Sequence, residues 1–348
     1  MKPVNIFWTI FKVGCKNDFK IVILFYQTIQ HLPMEKILVL GAGGQLGGEL
    51  VSGLAQKVGT ENVIASDIKD KQEVAFDVEY LKLNALDYAS LNELVLSKSI
   101  TQIYHLAAVL SAKAEKDPGV AWEINMKSLL NVLELGRKGV KQIFWPSSIA
   151  VFGPDTPKQD TPQNTLMNPN TVYGISKLAG ERWCEYYHNT YGVDVRSVRY
   201  PGLIGYKTLP GGGTTDYAVD IYLKALQGEK FECFLKKDSK LPMMYMDDAV
   251  RGTIELMEAS SENVKIRSSY NLSAMSFTPE EIYSEIVKHY PGFKIEYKPD
   301  FRQKIAESWP DSINDSRARE DWGWKHKYDL KRMTDDILSH LAELVSGE

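Results

Sequence analysis

The segment Ile37-Leu-Val-Leu-Gly-Ala-Gly-Gly-Gln-Leu-Gly47 decides the fold. Its first four residues read as a strand, and beyond the glycines Leu50, Val51 and Leu54 continue the apolar stripe of a helix. Between them Gly41, Gly44 and Gly47 stand in a G-x-x-G-x-x-G spacing. Glycines let backbone approach a ligand, and the N-terminus of the following helix offers N–H groups and positive dipole, which is what a dinucleotide pyrophosphate needs. A tight structural turn would use the same glycines. The strand before them and the helix after them favour the cofactor.

Moving outward, Asn62-Val-Ile-Ala65 reads as the second strand and runs into Asp67. A carboxylate there accepts hydrogen bonds from ribose hydroxyls and repels a 2′-phosphate, so it argues for NAD over NADP, with a capping aspartate as the alternative. Asn84 and Asp87 end a third strand-like run, where each either brackets an adenine or caps a helix. Ile103-Tyr-His-Leu106, Gln142-Ile-Phe-Trp145 and Val195-Arg-Ser-Val-Arg199 are further strands with amphipathic helices between them. This alternation predicts an α/β fold with a Rossmann-type, doubly wound parallel sheet. After about Pro201 the rhythm loosens. Residues 34–205 are therefore assigned to a nucleotide-binding domain, and 206–348 mainly to a smaller α/β substrate-binding cap, with some segments returning to the sheet.

Tyr173-Gly-Ile-Ser-Lys177 places a phenol and an ammonium four residues apart in a stretch that reads as helix, hence on one face. A nearby cation favours the phenolate, so the pair suits a proton acceptor working below the ordinary tyrosine pKa of about 10. Alone, it is equally an exposed aromatic and a solvated lysine.

Among the 348 residues, 44% are hydrophobic and 25% charged, as in ordinary soluble globular proteins. The net charge of −4 and scattered lysines give no nucleic-acid footprint. Cys15, Cys184 and Cys233 stand far apart, in no spacing of a disulfide framework, which points to a reducing cytoplasm. No metal is expected. Cys184 and His188 are the only close Cys/His pair, and no second pair completes a zinc site. In residues 1–33, the six-residue run Ile21-Val-Ile-Leu-Phe-Tyr26 is too short to span a bilayer, and no small-residue cleavage site follows it. Met34, directly before the first strand, is the simplest working start, leaving 1–33 as an extension outside the fold. A genuine but dispensable arm, or a degenerate targeting peptide, is the alternative.

The glycine spacing, His105-Leu-Ala-Ala108, Ser147-Ser-Ile-Ala-Val-Phe-Gly153, the Tyr173/Lys177 pair and Arg199-Tyr-Pro-Gly202 fall in the order of the extended short-chain dehydrogenase/reductases. The chain resembles that superfamily, which includes the nucleotide-sugar epimerases, over residues 35 to about 345. The resemblance implies NAD contacts at Gly41, Gly44, Gln45, Leu46, Gly47, Asp67, Ile68, Asn84, Leu106, Ala107, Ala108, Tyr173, Lys177, Tyr200 and Pro201. It makes Ser148 the third member beside Tyr173 and Lys177. Phe152 stands where tyrosine is usual and Asn84 where aspartate is common; neither touches the reacting atoms. The resemblance also implies a homodimer built on the helices at about 120–136 and 172–191, both apolar on more than one face.

Within the superfamily, Pro210-Gly-Gly-Gly-Thr-Thr-Asp-Tyr-Ala218, Ser308-Trp-Pro-Asp-Ser312 and Asp315-Ser-Arg-Ala-Arg-Glu-Asp-Trp-Gly-Trp324 resemble the short-chain L-threonine 3-dehydrogenases. A nucleotide-sugar enzyme needs basic residues in the first of these for a diphosphate; here the loop is glycines and hydroxyls. Thr214 and Thr215 offer short hydrogen bonds to a carboxylate. The resemblance places Ser111, Thr214 and Trp309 around an amino-acid substrate beside Ser148 and Tyr173, and Tyr200, Pro201 and Gly202 by the nicotinamide. Ser111 and Thr214 also read as helix caps and Trp309 as a core aromatic. The implied reaction is NAD-dependent oxidation of L-threonine to 2-amino-3-ketobutyrate. An epimerase or dehydratase that retains NAD is the enzyme alternative, and a non-catalytic NAD-binding sensor the alternative from another class.

Overall fold

A computed structural model describes residues 35–71, 76–208 and 213–346, with side chains to 343. Residues 1–33 and Pro210-Gly-Gly212 of the expected substrate loop lie outside the described residues.

The first half lays down β1 (Ile37–Leu40), α1 (Gln45–Val58), β2 (Val63–Asp67), β3 (Glu79–Lys82), α2 (Tyr88–Ser97), β4 (Gln102–His105), α3 (Ser111–Ala114), α4 (Pro118–Arg137), β5 (Gln142–Ser148), α5 (Val172–Tyr191) and β6 (Val195–Tyr200). The second half adds β7 (Gly202–Ile204), α6 (Tyr217–Leu226), β8 (Phe231–Cys233), β9 (Leu241–Tyr245), α7 (Met246–Glu258), β10 (Tyr270–Asn271), β11 (Met275–Phe277), α8 (Pro279–Val287), β12 (Ile295–Tyr297), α9 (Arg302–Glu307), α10 (Ser316–Trp322) and α11 (Leu330–Ser346). The main sheet has seven strands in the order β10-β6-β5-β4-β1-β2-β3, all parallel. Strand order reverses between β1 and β4, and a crevice opens there beyond the strand ends. Helices cover both faces, so β1 is apolar at every position: its residues are at most 1% exposed, each buried side chain contributing roughly 1.5–3 kcal/mol.

Strand β5 runs three residues past the expected Trp145, through Pro146, which lacks the N–H a central strand normally donates. Its pairing with β4 ends at Phe144 while pairing with β6 continues to Ser148, so the proline sits where one flank is already free. The extension carries Ser147 and Ser148 to the crevice.

Both long helices here have sequence-coded ends. Asp117 accepts the Val120 N–H at the start of α4, with Pro118 at its first position. Thr171 accepts the Gly174 N–H at the start of α5, and Gly192, with φ of 72°, takes the left-handed turn that ends it. A Cβ at Gly180 would stand 2.3 Å from Trp145 Cη2, so its absence lets α5 lie directly on β5.

The second half builds a three-stranded sheet, β11-β9-β7, and a β12-β8 pair, with α6, α8, α9 and α11 around a shared core. That core includes Ile149, Ala150, Val151 and Phe152 from the connection after β5. Meanwhile α7 packs on α1, and β10 pairs with β6 in the main sheet. Cys184 is buried and His188 Nδ1 lies 2.9 Å from Val193 O; among the described residues no cluster of three metal-ligating side chains forms. No helix among them is long and apolar enough to cross a membrane.

Candidate active site

A cavity of about 800 Å³ opens over the C-terminal ends of β1, β4 and β5. At one end, the glycine turn leaves no room for side chains. Gly41 has φ of 83° and a Cβ there would meet Ala107 N at 2.6 Å; one at Gly47 would meet Gly41 O at 2.4 Å. Gly44 is the N-cap of α1, no side chain caps that helix, and Gln45, Leu46 and Gly47 line the cavity. The first-turn N–H groups thus form an anion-binding terminus.

At the end of β2 the Asp67 carboxylate accepts the Gly43 N–H at 2.9 Å and the Lys69 N–H at 3.3 Å, while Lys69 Nζ donates to Gly43 O at 2.7 Å. Asp67 lines the cavity, and the carboxylate and the ammonium both grip the same glycine. Ile68, 66% exposed, lines the cavity with Asn84, Leu106, Ala107 and Ala108. Asp87 does not. It caps α2 by accepting from Ser90 N and Ser90 Oγ, so of the two residues proposed to bracket adenine only Asn84 reaches the cavity, with its Oδ1 held by the Leu86 N–H at 3.0 Å.

Ser148, Tyr173 and Lys177 meet on the cavity wall. Ser148 Oγ accepts the Ala150 N–H at 3.2 Å and hydrogen-bonds the Tyr173 hydroxyl. Lys177 Nζ donates to Pro146 O at 2.5 Å, lies 4.4 Å above the Trp145 ring and 5.5 Å from the Tyr173 ring centre. Burial pushes Lys177 down to about 7, against the Cys184 and Glu181 side chains behind it. Burial pushes Tyr173 up to about 12, with the Ser148 hydrogen bond acting the other way. In the free protein, desolvation of the phenolate therefore outweighs the acidifying influence expected of Lys177, whose own positive charge burial also weakens.

At the substrate end, Ser111 is buried on α3, but Leu110 holds the N-cap position, so Ser111 is not a cap. Thr214 is 1% exposed, its Oγ1 has no hydrogen-bond partner among the described residues, and the N-cap of α6 is Asp216. A buried hydroxyl left unsatisfied at a cavity wall is costly unless a ligand completes it. Thr215 is half-buried, with Cγ2 2.7 Å from where a Gly202 Cβ would stand. Trp309 is both things proposed of it: 5% exposed in the cap core, and part of the cavity wall. Tyr200, Pro201 and Gly202 also line the cavity, and the Tyr200 hydroxyl bonds Thr253 Oγ1.

Several contributors escaped the sequence reading. Lys69, Lys113 and Asp216 line the cavity. Asn125, buried on α4, accepts from Val109 N at 2.7 Å and donates to Val109 O and Ser176 Oγ, whose own hydrogen goes to the Tyr173 carbonyl. It therefore ties the loop after β4 to the first turn of α5. A polar residue on the apolar face of a helix was the available signal.

Residues 37–273 match the model of the NAD dependent epimerase/dehydratase family. A mitochondrial L-threonine 3-dehydrogenase of Bos taurus is 45% identical over 307 residues, 88% of this chain and 82% of that protein. A GalE-like L-threonine dehydrogenase from Cupriavidus necator, in its holo form, is 57% identical with a TM-score of 0.87, over 88% of this chain and 99% of that one. A monomeric L-threonine 3-dehydrogenase from a metagenome is 48% identical with a TM-score of 0.86, at the same coverage.

In the cofactor-free protein the Tyr173 phenol is expected to titrate near 12. Ultraviolet difference titration of the wild type against Tyr173→Phe reads this directly. Ionisation at or below the ordinary value of about 10 would show that Lys177 acidifies the phenol unaided.

Proposed function

The chain belongs to the NAD dependent epimerase/dehydratase family, and we propose that it oxidises the β-hydroxyl of L-threonine to 2-amino-3-ketobutyrate with NAD⁺ as acceptor. The observation that carries the reading is the substrate end of the cavity. Thr214, whose hydroxyl has no partner among the described residues, lines the same cavity as Ser148 and Tyr173 together with Ser111, Trp309, Lys113 and Asp216. One cation and one anion beside hydroxyls suit a small zwitterion. A sugar diphosphate would require a cluster of cations.

The glycine cradle fits the pyrophosphate of NAD, since side chains at Gly41 and Gly47 would collide with their own backbone neighbours. Asp67 and Asn84 would hold its adenosine, and Tyr200, Pro201 and Lys177 its nicotinamide half. NAD⁺ supplies the hydride acceptor. The protein's part is proton transfer and orientation. Ser148 and Tyr173, already hydrogen-bonded to each other, receive the substrate oxygen between them, and Tyr173 takes its proton as general base. Lys177, fixed by Pro146 O and the Trp145 face, stabilises the resulting charge distribution from one helical turn away.

Mixing the protein with L-threonine and NAD⁺ is expected to accumulate NADH. A retained-cofactor epimerase would show none. Tyr173→Phe keeps the ring and loses the oxygen, so turnover should fall by roughly 10²- to 10⁴-fold with NAD⁺ affinity little changed. Near-normal turnover in that variant refutes the assignment of the base.

Cofactor choice rests on Asp67, and Lys69 sharpens its test. Asp67→Ser removes the repulsion of a 2′-phosphate while the Lys69 ammonium remains beside the same glycine. NADP⁺ use should therefore rise in Asp67→Ser and fall back in Asp67→Ser/Lys69→Met. Equal use of both cofactors by the unmodified protein sinks this reading.

The protein is proposed to be a homodimer. Helices α4 and α5 pack together, yet Val120, Trp122, Ile175, Trp183, Tyr186 and Tyr191 stay exposed on them, an apolar face of the kind that a second copy covers. Light scattering at micromolar concentration should give twice the chain mass; a monomeric mass, as the metagenomic relative's description would suggest, contradicts it.

A further inference from the structure

The connection from β5 to α5 contains Pro154, Pro157 and Pro162, so it can continue neither element, and its polar residues would be expected to face water. Instead it is laced to the cap segment that carries Trp309. Lys158 O accepts the Asp311 and Ser312 N–H groups at 2.9 and 3.2 Å, and Thr161 forms a parallel bridge with Ile313. Gln159 donates to the Asp311 carboxylate, the Asp160 N–H to Ser312 Oγ, and Asn314 back to Asp160. All of these bonds lie C-terminal to Trp309.

The Lys158 side chain alone among them reaches the turn where Trp309 sits. Its Nζ donates to Glu307 O at 2.5 Å and to Trp309 O at 2.7 Å. Glu307 is the last residue of α9, Ser308 its C-cap, and Pro310 forbids continuation, so these are carbonyls with no partner further along a helix. An ammonium at a helix C-terminus is favoured by the helix dipole as well as by the bonds. Lys158 is half-buried, and burial lowers its pKa, with the Asp311 and Glu307 carboxylates beside it acting the other way.

We propose that Lys158 is a positioning residue for the substrate pocket, fixing the turn that presents Trp309 to the cavity against the element that carries Ser148 and Tyr173. Lys158 lies ten residues after Ser148 on the very connection that leads to Tyr173. The ammonium therefore joins the cap wall to the reacting groups. The consequence for substrate, though not the positioning itself, rests on the reading of the cavity as a threonine site.

The test uses the full chain as Lys158→Met, Lys158→Arg, Trp309→Leu and the Lys158→Met/Trp309→Leu double variant. With 5-fluorotryptophan in place of the seven tryptophans, the ¹⁹F resonance missing from Trp309→Leu identifies Trp309. That resonance should shift or broaden in Lys158→Met and return towards its place in Lys158→Arg, whose guanidinium can still donate to both carbonyls. The KM for L-threonine should rise by at least about tenfold in Lys158→Met, because small displacements of a pocket wall cost binding and alignment steeply. The dissociation constant for NAD⁺ should stay within about twofold, since Lys158 is not among the residues lining the cavity. In the Trp309→Leu background Lys158→Met should add little to KM. An unmoved Trp309 resonance in Lys158→Met, or KM effects that multiply in the double variant, overturns the proposal. A wild type that makes no NADH from L-threonine removes the substrate assignment only, and the resonance then decides the positioning role alone.

Discussion

An amine that water would hold as a cation has been buried at Lys177, and much of the architecture around the cavity is what accommodates it there. Burying a cation costs several kcal/mol unless dipoles and counter-charge replace its water. The Pro146 carbonyl supplies one dipole and the Trp145 face a second source of negative potential. Each has a structural requirement. The carbonyl exists there because β5 runs on past β4, and the indole fits because residue 180 has no side chain. One turn further along α5, Glu181 supplies counter-charge, and it is buried in its turn against Arg199 on β6 through two bonds of 2.8 Å. Ser147 donates to the same carboxylate, and Arg199 also donates to Gln163 O and Asn271 Oδ1 through Nη1. A pair so fully bonded is costly to break from one side, because the survivor is a buried bare charge. It fixes α5 on β5 and β6.

How much of this could be read in the sequence depended on whether the cause was local. The βαβ rhythm and the glycine turn were legible because strand burial and phosphate geometry act within a few residues. Residues 172–191 form a helix as expected, since Thr171 and Gly192 write both ends. Pro146 misled in the other direction: a proline reads as the end of a strand, and only the staggered ends of β4 and β6 explain why this one continues. Asp87 and Asn84 were indistinguishable as caps, because the difference is which of them faces the cavity. Lys158 was invisible because its partners lie far off in the chain, at Glu307 and Trp309, while Asn125, a polar residue on an apolar helix face, gave a signal but no sign of its partner Ser176.

The same separation explains the substrate end. It is assembled from the loop after β4, the turn before α6 and the segment after α9, none adjacent in sequence. The connection between β5 and α5 runs from Ser148 towards Tyr173 and is hydrogen-bonded to this cap segment. Thr214 and Trp309 could be placed there by resemblance but not by periodicity. Their dual character, one an orphaned hydroxyl and the other a core aromatic, reflects a pocket cut into a packed core. Its walls cannot relax without cost.

Burial acts on Tyr173 and Lys177 in the same sense, towards the neutral form, and this sets a trade between stability and readiness. Lys177 falls to about 7 in the folded chain from an ordinary 10.5. Between those values the unfolded chain binds the extra proton and the folded one does not, so stability rises with pH across that window. Below about 7 both states carry the charge, and the folded chain bears the full desolvation cost. A site residue that weakens the fold at neutral pH is retained because of what it does, not because of what it holds together. Tyr173 lies on the other side of the same balance: at about 12 its phenolate is scarce in the free protein. A positive charge bound beside Tyr173 would favour the phenolate and would hold Lys177 more firmly in its neutral form. The free site is thereby kept from acting as a base on anything but a fully assembled complex.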